Sequence, residues 1–436
     1  MTGLVEFDRR SAMFDAINAA SGNPSPFNSA AFLRLYATRS EHFPDGIEPV
    51  VFLVSEGFDA IGWLAMRRRT EKLPGGIPGR RVEMLATHDN DRPGIVALAG
   101  RDSDVSDAII AHLLNRESAW TLCEFRAQTS GSALYAAAHA RSSSTLKVRD
   151  IAIDPYSEVS IRWTSLGAYF ASLSKRMRSN VSRQARHLFA TGNVEIVLAK
   201  GGLGVGALFD AYLELESRSW KQGGDVAIRR HSNRETFYRE LAKGNAGLVP
   251  SFIGITIDGC LVAGLITGRH FGRSWCMEMC FDESQSDSGP GQLLLLLAIN
   301  DAITEGDRSV NFLQMQPYFK QRWLAELHPV VNVQLIRRAS FYNLKAVVGD
   351  RRRAASAENV VELFNDVKRE SVQKSVARAE PSPLGQGRAI LRGVLDQGLS
   401  GIRRLDTNSS ADLLPFSVER SPSIVPASRR VSDHDG

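Results

Sequence analysis

The sequence predicts an α/β protein with mixed sheets, built from two units of the same element order. Three observations predict it. Short runs rich in Val, Ile, Phe and Trp, bounded by Gly, Asp and Ser, mark strands in both halves. In each half a hairpin leads to a third strand, a helix and a further strand, so antiparallel pairing gives way to a strand–helix–strand crossover. Each unit also opens with helices ahead of its first hairpin. The repeat is one of element order and not of residue identity.

The elements follow in order. A helical pattern over residues 29–39 precedes strands at 49–56 and 60–66, joined by the turn Gly57-Phe-Asp59. A third strand lies at 82–87. The spacing of Val105, Ala108, Ile109, His112 and Leu113 predicts a helix over 104–114. Strand 120–125, helix 132–140 and strand 146–153 complete the first unit. The second opens with helices over 167–190, 206–220 and 234–241. Strands at 251–257 and 261–268 flank the hairpin turn Asp258-Gly259. Strand 275–281 enters a glycine-rich turn, and a long helix follows from 292. Strand 310–313, a short helix at 318–323 and strand 330–336 end the unit. The units meet near the Ser-rich Arg141-Ser-Ser-Ser-Thr145, giving domains at 1–150 and 151–350. Residues 351–436 read as a basic tail, helical through 367, disordered beyond Pro381, with a helical patch over 389–402.

Composition narrows the class. With 436 residues, 43% hydrophobic and 23% charged, the chain has the make-up of a soluble globular protein with more than one core. Its longest apolar run, near 293–299, is far shorter than a membrane span. The N-terminal residues carry no apolar signal core. Four cysteines, Cys123, Cys260, Cys276 and Cys280, are too few for a disulfide scaffold and read as buried thiols of a cytoplasmic protein. No histidine or cysteine pair has ligand spacing, so no metal is expected. A net charge of +5 favours small anionic ligands without requiring nucleic acid.

The stretch that carries chemistry runs from Trp275 to Trp323. Its turn, Ser288-Gly-Pro-Gly291, feeds directly into the helix that begins at Gln292. Glycines let the backbone approach a ligand, and the free N–H groups of a helix N-terminus attract phosphate. An ordinary strand-to-helix connection would use the same residues. If the sheet splays where this crossover begins, the turn sits at the mouth of a cleft. Ser288, Gly289, Gly291 and Gln292 are therefore candidate phosphate contacts. The first half has Arg92-Pro-Gly94, but too far ahead of its helix to build such a cradle, so one site is expected. Glu278 alternates with Met277 and Met279 and should face away from them. It is either a general base for an ammonium acceptor or a surface strand residue. Lys175, Arg176, Arg183, Arg186 and His187 share a helical face opposite Leu173, Met177, Val181 and Leu188. That face is either solvated or a patch for phosphates, an anionic glycan or a lipid headgroup, with Arg176 and Arg183 placed to pair with phosphate. Trp220 and Lys221 end a helix and are candidate acceptor contacts. A core-edge tryptophan is the plainer reading.

Three local matches resemble the GNAT acyltransferases, and among them the BioF2-like, CelD-type group of polysaccharide-biosynthesis proteins. Residues 169–186, with Lys175-Arg-Met-Arg178 and Arg183, look like that group's basic helix. Ser288-Gly-Pro-Gly291 is similar to its Ser-Pro-Gly turn. Val310-Asn-Phe-Leu313 with Tyr318, Lys320 and Trp323 resembles its Asp-Phe strand and Tyr-Lys-x-x-Trp. Two departures stand out: Asn311 replaces an Asp, and an extra glycine splits Ser from Pro-Gly. The resemblance covers most of residues 20–345 and implies tandem GNAT-like acyl-CoA N-acyltransferase domains, the second catalytic and the first a degenerate copy. It implies acetyl-CoA or another acyl-CoA as donor, its pyrophosphate on the glycine turn, and a small amine or sugar acceptor such as an amino sugar or polysaccharide precursor. It further implies Tyr318 as general acid for the leaving thiolate, Lys320 as a phosphate or acceptor contact, and peripheral attachment to a polysaccharide-biosynthesis assembly. Two other readings remain: a Fem-like aminoacyl transferase, and a non-catalytic scaffold docked by the basic helix and tail.

Overall fold

The structure, a computed structural model, describes residues 3–39, 49–73, 77–86, 92–117, 120–224, 226–314, 317–337 and 402–405. The first half contains helices α1 (Leu4–Arg9), α2 (Ser11–Ala19) and α3 (Ala30–Arg39), then strands β1 (Val50–Glu56), β2 (Asp59–Leu73), β3 (Ile77–Met84) and the short β4 (Val96–Ala97). Helix α4 (Asp102–Asn115), strand β5 (Leu122–Gln128), helix α5 (Ala133–Ala140) and strand β6 (Leu146–Ser160) follow. The second half runs α6 (Leu166–Ser172), α7 (Lys175–Phe189), β7 (Val194–Lys200), α8 (Gly201–Glu216), α9 (Ser232–Ala242), β8 (Val249–Ile257), β9 (Cys260–His270) and β10 (Arg273–Phe281). Helix α10 (Pro290–Thr304), strand β11 (Ser309–Asn311), helix α11 (Pro317–Lys320), strand β12 (Glu326–Arg337) and strand β13 (Ile402–Leu405) complete it.

The fold is the mixed α/β arrangement, with one element order in both halves, that the sequence predicts. Both crossovers are present: β3 pairs β5 in parallel across α4, and β10 pairs β11 in parallel across α10. The two halves share one sheet, in the order β1-β2-β3-β5-β12-β6-β11-β10-β9-β8-β7-β13. Its centre is an exchange. β6 leaves the first half to pair with β11, and β12 leaves the second to pair with β5, while β6 and β12 pair with each other.

Helices cover both faces. α8 and α9 pack with α2 and α3 around Phe14, Phe32, Tyr212 and Phe237. α6, α7 and α10 close the other face of the second half around Tyr169, Val181, Leu296 and Trp323. α10 is buried on nearly all sides, which explains its unbroken Leu293–Leu297 run.

Several expectations need correction. The helix predicted over 167–190 is two helices. Leu173 and Ser174 are extended, and the Ser174 hydroxyl accepts from the Met177 N–H, starting α7 afresh. α1, α2 and β7 had no counterpart in the sequence reading. Cys260 is exposed beside the hairpin turn, whereas Cys123 and Cys280 are buried. Within the tail, β13 pairs in parallel with β7 at Ile196–Ala199, so residues 402–405 form a strand. The predicted helix near 351–367, the disorder beyond Pro381 and the helical patch up to 401 lie outside the described residues. A truncation before Pro381 removes β13 and uncovers the edge of β7. The expected result is a folded chain whose Tm falls by a few degrees, for roughly 1–2 kcal/mol of lost edge pairing. An unchanged Tm in thermal unfolding would show that the strand contributes nothing.

Candidate active site

β10 and β11 pair only over Arg273–Trp275 and Ser309–Asn311. β10 then runs on to Phe281 while β11 ends, and the sheet opens. A cavity of about 770 Å³ fills the opening. Cys276, Met277, Glu278 and Met279 line one side, Phe312, Leu313 and Gln314 the other, and Gly289, Gly291 and Gln292 its mouth. The size suits a cofactor arm and a small acceptor.

The mouth is built by local rules. Asp282 accepts from the Ser284 N–H and starts a 3₁₀ turn over Glu283–Ser288. Gly289 then takes a left-handed conformation (φ 60°), and Pro290 opens α10, where its missing N–H removes no bond. A Cβ on Gly289 would lie 2.4 Å from the Gln184 side chain, and one on Gly291 3.2 Å from the Phe281 ring. The donor set is narrower than the sequence suggests. The Gly289 N–H donates to the Ser286 carbonyl at 3.1 Å and the Gln292 N–H to the Gly289 carbonyl at 3.0 Å. Both are used because the chain turns back through i→i+3 bonds. Among the described residues, the Gly291 N–H has no hydrogen-bond partner at this turn.

Glu278 does not face away from Met277. Cys276 pairs with Thr267 and Glu278 with Ile266, so Met277 is the extra residue of a β-bulge. The bulge turns both side chains toward the α8–α9 face. Glu278 is 9% exposed, and so is not a surface residue. It forms ion pairs with Lys221 and, at 2.9 Å, with Arg234. Lys221 also lies 3.5 Å from Glu216, whose other oxygen accepts from the Ile228 N–H at 2.8 Å. Burial alone would lower the Lys221 pKa. The Glu278 and Glu216 carboxylates more than offset it, and the pKa rises above the ordinary lysine value. Burial raises the pKa of Glu216.

Residues 175–321, which hold the basic helix, the splayed strands, the turn and α11, match the family model described as an acetyltransferase (GNAT) domain. This segment is a GNAT-type acetyltransferase domain. No protein of curated function matches the chain. Among solved structures it is similar to FemX, with 11% identity, 77% of this chain and 98% of that chain covered, and a TM-score of 0.54. It is also similar to the C-terminal domain of a putative lysylphosphatidylglycerol synthetase from Agrobacterium fabrum, with 11% identity, 80% and 96% coverage, and a TM-score of 0.47. A tandem GNAT protein from the clavulanic acid biosynthesis pathway shows 14% identity, 76% and 96% coverage, and a TM-score of 0.42. At such identities the FemX likeness concerns the fold.

The GNAT domain gathers some of the expected residues and leaves others outside. Gly289, Gly291, Gln292, Glu278, Trp220, Lys221 and Lys320 line the cavity. Ser288 is buried behind it, its hydroxyl donating to the Gln285 carbonyl at 2.7 Å. Lys320 donates to the Phe312 carbonyl, which anchors α11 to the strand side of the opening. Tyr318 belongs to α11, but its side chain lies outside the described residues. Arg176 and Arg183 do not line the cavity. They are exposed on α7, next to its mouth. Asn180 of that helix donates to the Gln292 side chain at 3.3 Å.

Other residues of the GNAT domain's cavity were missed. Arg234, Tyr238 and Gln184 line it, and so does Asp154 from β6 of the first half. β6 bulges there: Ile153 pairs with Val330 and Tyr156 with His328, leaving Asp154 and Pro155 opposite the single Pro329. Proline cannot donate to the ladder, and the bulge turns Asp154 out of it. Asp154 is exposed and has no ion-pair partner among the described residues. The dipeptide Asp154-Pro155 is the sequence signal for this bulge. Among the described residues no group of His, Cys, Asp and Glu could hold a metal, and no helix is long and apolar enough to cross a membrane.

The helix that crosses over in the first half starts differently. Arg101 precedes α4 and pairs with Glu56 at 2.9 Å and Asp104 at 2.6 Å. Gly62 of β2 packs under Val105, whose methyl would lie 2.5 Å from an added Cβ.

Proposed function

We propose that this chain is an acyl-CoA-dependent N-acyltransferase that transfers an acyl group to an amine by direct attack on a thioester. The observation that carries the reading is the opening between β10 and β11, with the Gly291 N–H at its mouth and a polar cluster in its wall. The residues present fit coenzyme A. Gly291 offers a main-chain donor to the pyrophosphate, and any side chain there would crowd Phe281 and the mouth. Acyl-CoA supplies the activated acyl group. The bulge at Met277 takes its main chain out of regular pairing, where an N–H can polarise the thioester carbonyl.

On the acceptor side, each oxygen of Glu278 accepts one hydrogen bond from a cation and keeps a second lone pair for the amine. Asp154 faces the same cavity and takes the proton the amine loses. Tyr318 donates a proton to the leaving sulfur. Cys276 lies in the wall, but burial pushes its thiol up to about 12, so it is a poor nucleophile and direct transfer is favoured over an acyl-enzyme. The reading places one cofactor site, in residues 151–350, because the glycine turn that leads straight into its helix lies there. The resemblance to the BioF2-like, CelD-type group supports an amino sugar or polysaccharide precursor as acceptor, a cytoplasmic location and attachment to a polysaccharide-biosynthesis assembly.

Calorimetric titration with CoA and acetyl-CoA tests the reading, followed by thiol release in the presence of an acceptor found by mass spectrometry in cell extract. The expected result is micromolar binding and acceptor-dependent thiol release. Tyr318→Phe should slow release roughly 10²-fold, as loss of a general acid does, with unchanged CoA affinity. A chain that bound neither nucleotide would instead support the scaffold reading.

A further inference from the structure

The cationic groups of α7 are not evenly placed. Helical spacing puts Arg176, Asn180, Arg183 and His187 on one stripe, four and three residues apart. Lys175 and Arg186 fall on a second stripe, farther from the turn. The first stripe borders the mouth of the cavity. Asn180 lies on it and donates both to Gln184, 3.2 Å away, and to Gln292 in the first turn of α10. Gln184 packs over Gly289. Arg183 donates to the Asn180 side chain at 3.0 Å. Two hydrogen bonds thus connect the Arg183 guanidinium to the start of α10. Arg176, Arg183 and His187 are exposed, and none has a carboxylate partner among the described residues. Other arginines of this half do pair with carboxylates: Arg218 with Asp282, Arg229 with Glu214, Arg239 with Asp210 and Glu235. An arginine held beside an anion site by a neutral amide keeps its fork available for phosphate.

We propose that Arg183 and Arg176 bind the 3′-phosphate of coenzyme A outside the cavity, and so select donors that carry this phosphate. The proposal rests on the acyl-CoA reading. A pyrophosphate held at Gly291 leaves the adenosine end outside the cavity, and the stripe on α7 is the cationic surface bordering that mouth. His187 lies one turn beyond Arg183 and extends the same edge.

Calorimetry on the full chain with two probes, CoA and 3′-dephospho-CoA, separates the possibilities. The wild type should bind dephospho-CoA roughly tenfold more weakly than CoA, the scale of one charge-assisted contact. Arg183→Ala with Arg176→Ala should weaken CoA to the level of dephospho-CoA and leave dephospho-CoA unchanged. Lys175→Ala with Arg186→Ala, on the second stripe, should preserve the difference. All four residues are exposed, so the variants are expected to fold, and circular dichroism checks this. Equal affinities for the two probes in the wild type overturn the proposal, as does a difference that survives in the Arg176/Arg183 variant. Binding of unfractionated transfer RNA that is lost in that variant, with no preference between the two nucleotides, overturns it in favour of an RNA backbone. Binding of neither nucleotide defeats the acyl-CoA reading itself, and the proposal falls with it.

Discussion

Glu278→Gln is expected to lower the Tm by roughly 10 °C, from the loss of about 3–5 kcal/mol when one partner of a buried ion cluster is removed. The cluster holds two carboxylates and two cations, with Lys221 2% and Arg234 4% exposed. Without the Glu278 charge, the Arg234 guanidinium loses a carboxylate 2.9 Å away and Lys221 loses the nearer of its two, leaving Glu216 at 3.5 Å. Adding Arg234→Met to the variant leaves one ammonium and one carboxylate, and should recover part of the loss. Thermal unfolding followed by circular dichroism gives the answer. A single variant that melts with the wild type would mean that the cluster is not a closed ion network. Because the same carboxylate lines the cavity, turnover must be measured well below the lowered Tm, so that instability is not mistaken for a lost acceptor contact.

Gly291→Val should weaken CoA binding about 100-fold, equivalent to roughly 2.7 kcal/mol, while leaving the fold in place. Two effects act together. The added methyls occupy the mouth beside the free N–H, and the new Cβ presses on the Phe281 ring from 3.2 Å. The ring lines the cavity and has room to shift, so the strain is modest and the occlusion dominates. Isothermal titration with CoA, alongside a circular dichroism spectrum, separates lost binding from lost structure. Wild-type affinity in a folded variant would remove the turn from the cofactor site.

What the sequence made legible followed from local chemistry. Strand, turn and helix around Ser288-Gly-Pro-Gly291 were readable because glycine, proline and an unbroken leucine run each have a local meaning. Both crossovers were readable from element order. The bulge at Met277 was not, since Trp275–Phe281 alternates as any strand would and only pairing with β9 reveals the extra residue. It puts Glu278 on the same face as Met277, in a buried cluster, where plain alternation predicts opposite faces. Lys221 was read as an acceptor contact, but Glu216 and Arg234, from two other helices, have no spacing rule that links them to it. The Ser174 break was readable in principle, as a serine three residues before Met177, but the apolar period carried across it. β7 was hidden by its position between two helices, and β13 by a tail whose composition argues against structure.

The exchange of β6 and β12 also constrains how the chain can be made. When residue 160 has been synthesised, the first half is complete in sequence but not in sheet: the slot beside β5 is reserved for β12, which ends at Arg337. β6 in turn waits for β11 and β12, both supplied by the other half. Neither unit can close as an independent folding step during translation, and the nascent first half must expose an open strand edge for most of the second half's synthesis. The pairing of β5 with β12 joins residues just over two hundred apart, and such non-local closure is slow, so the first half finishes its sheet only with the second.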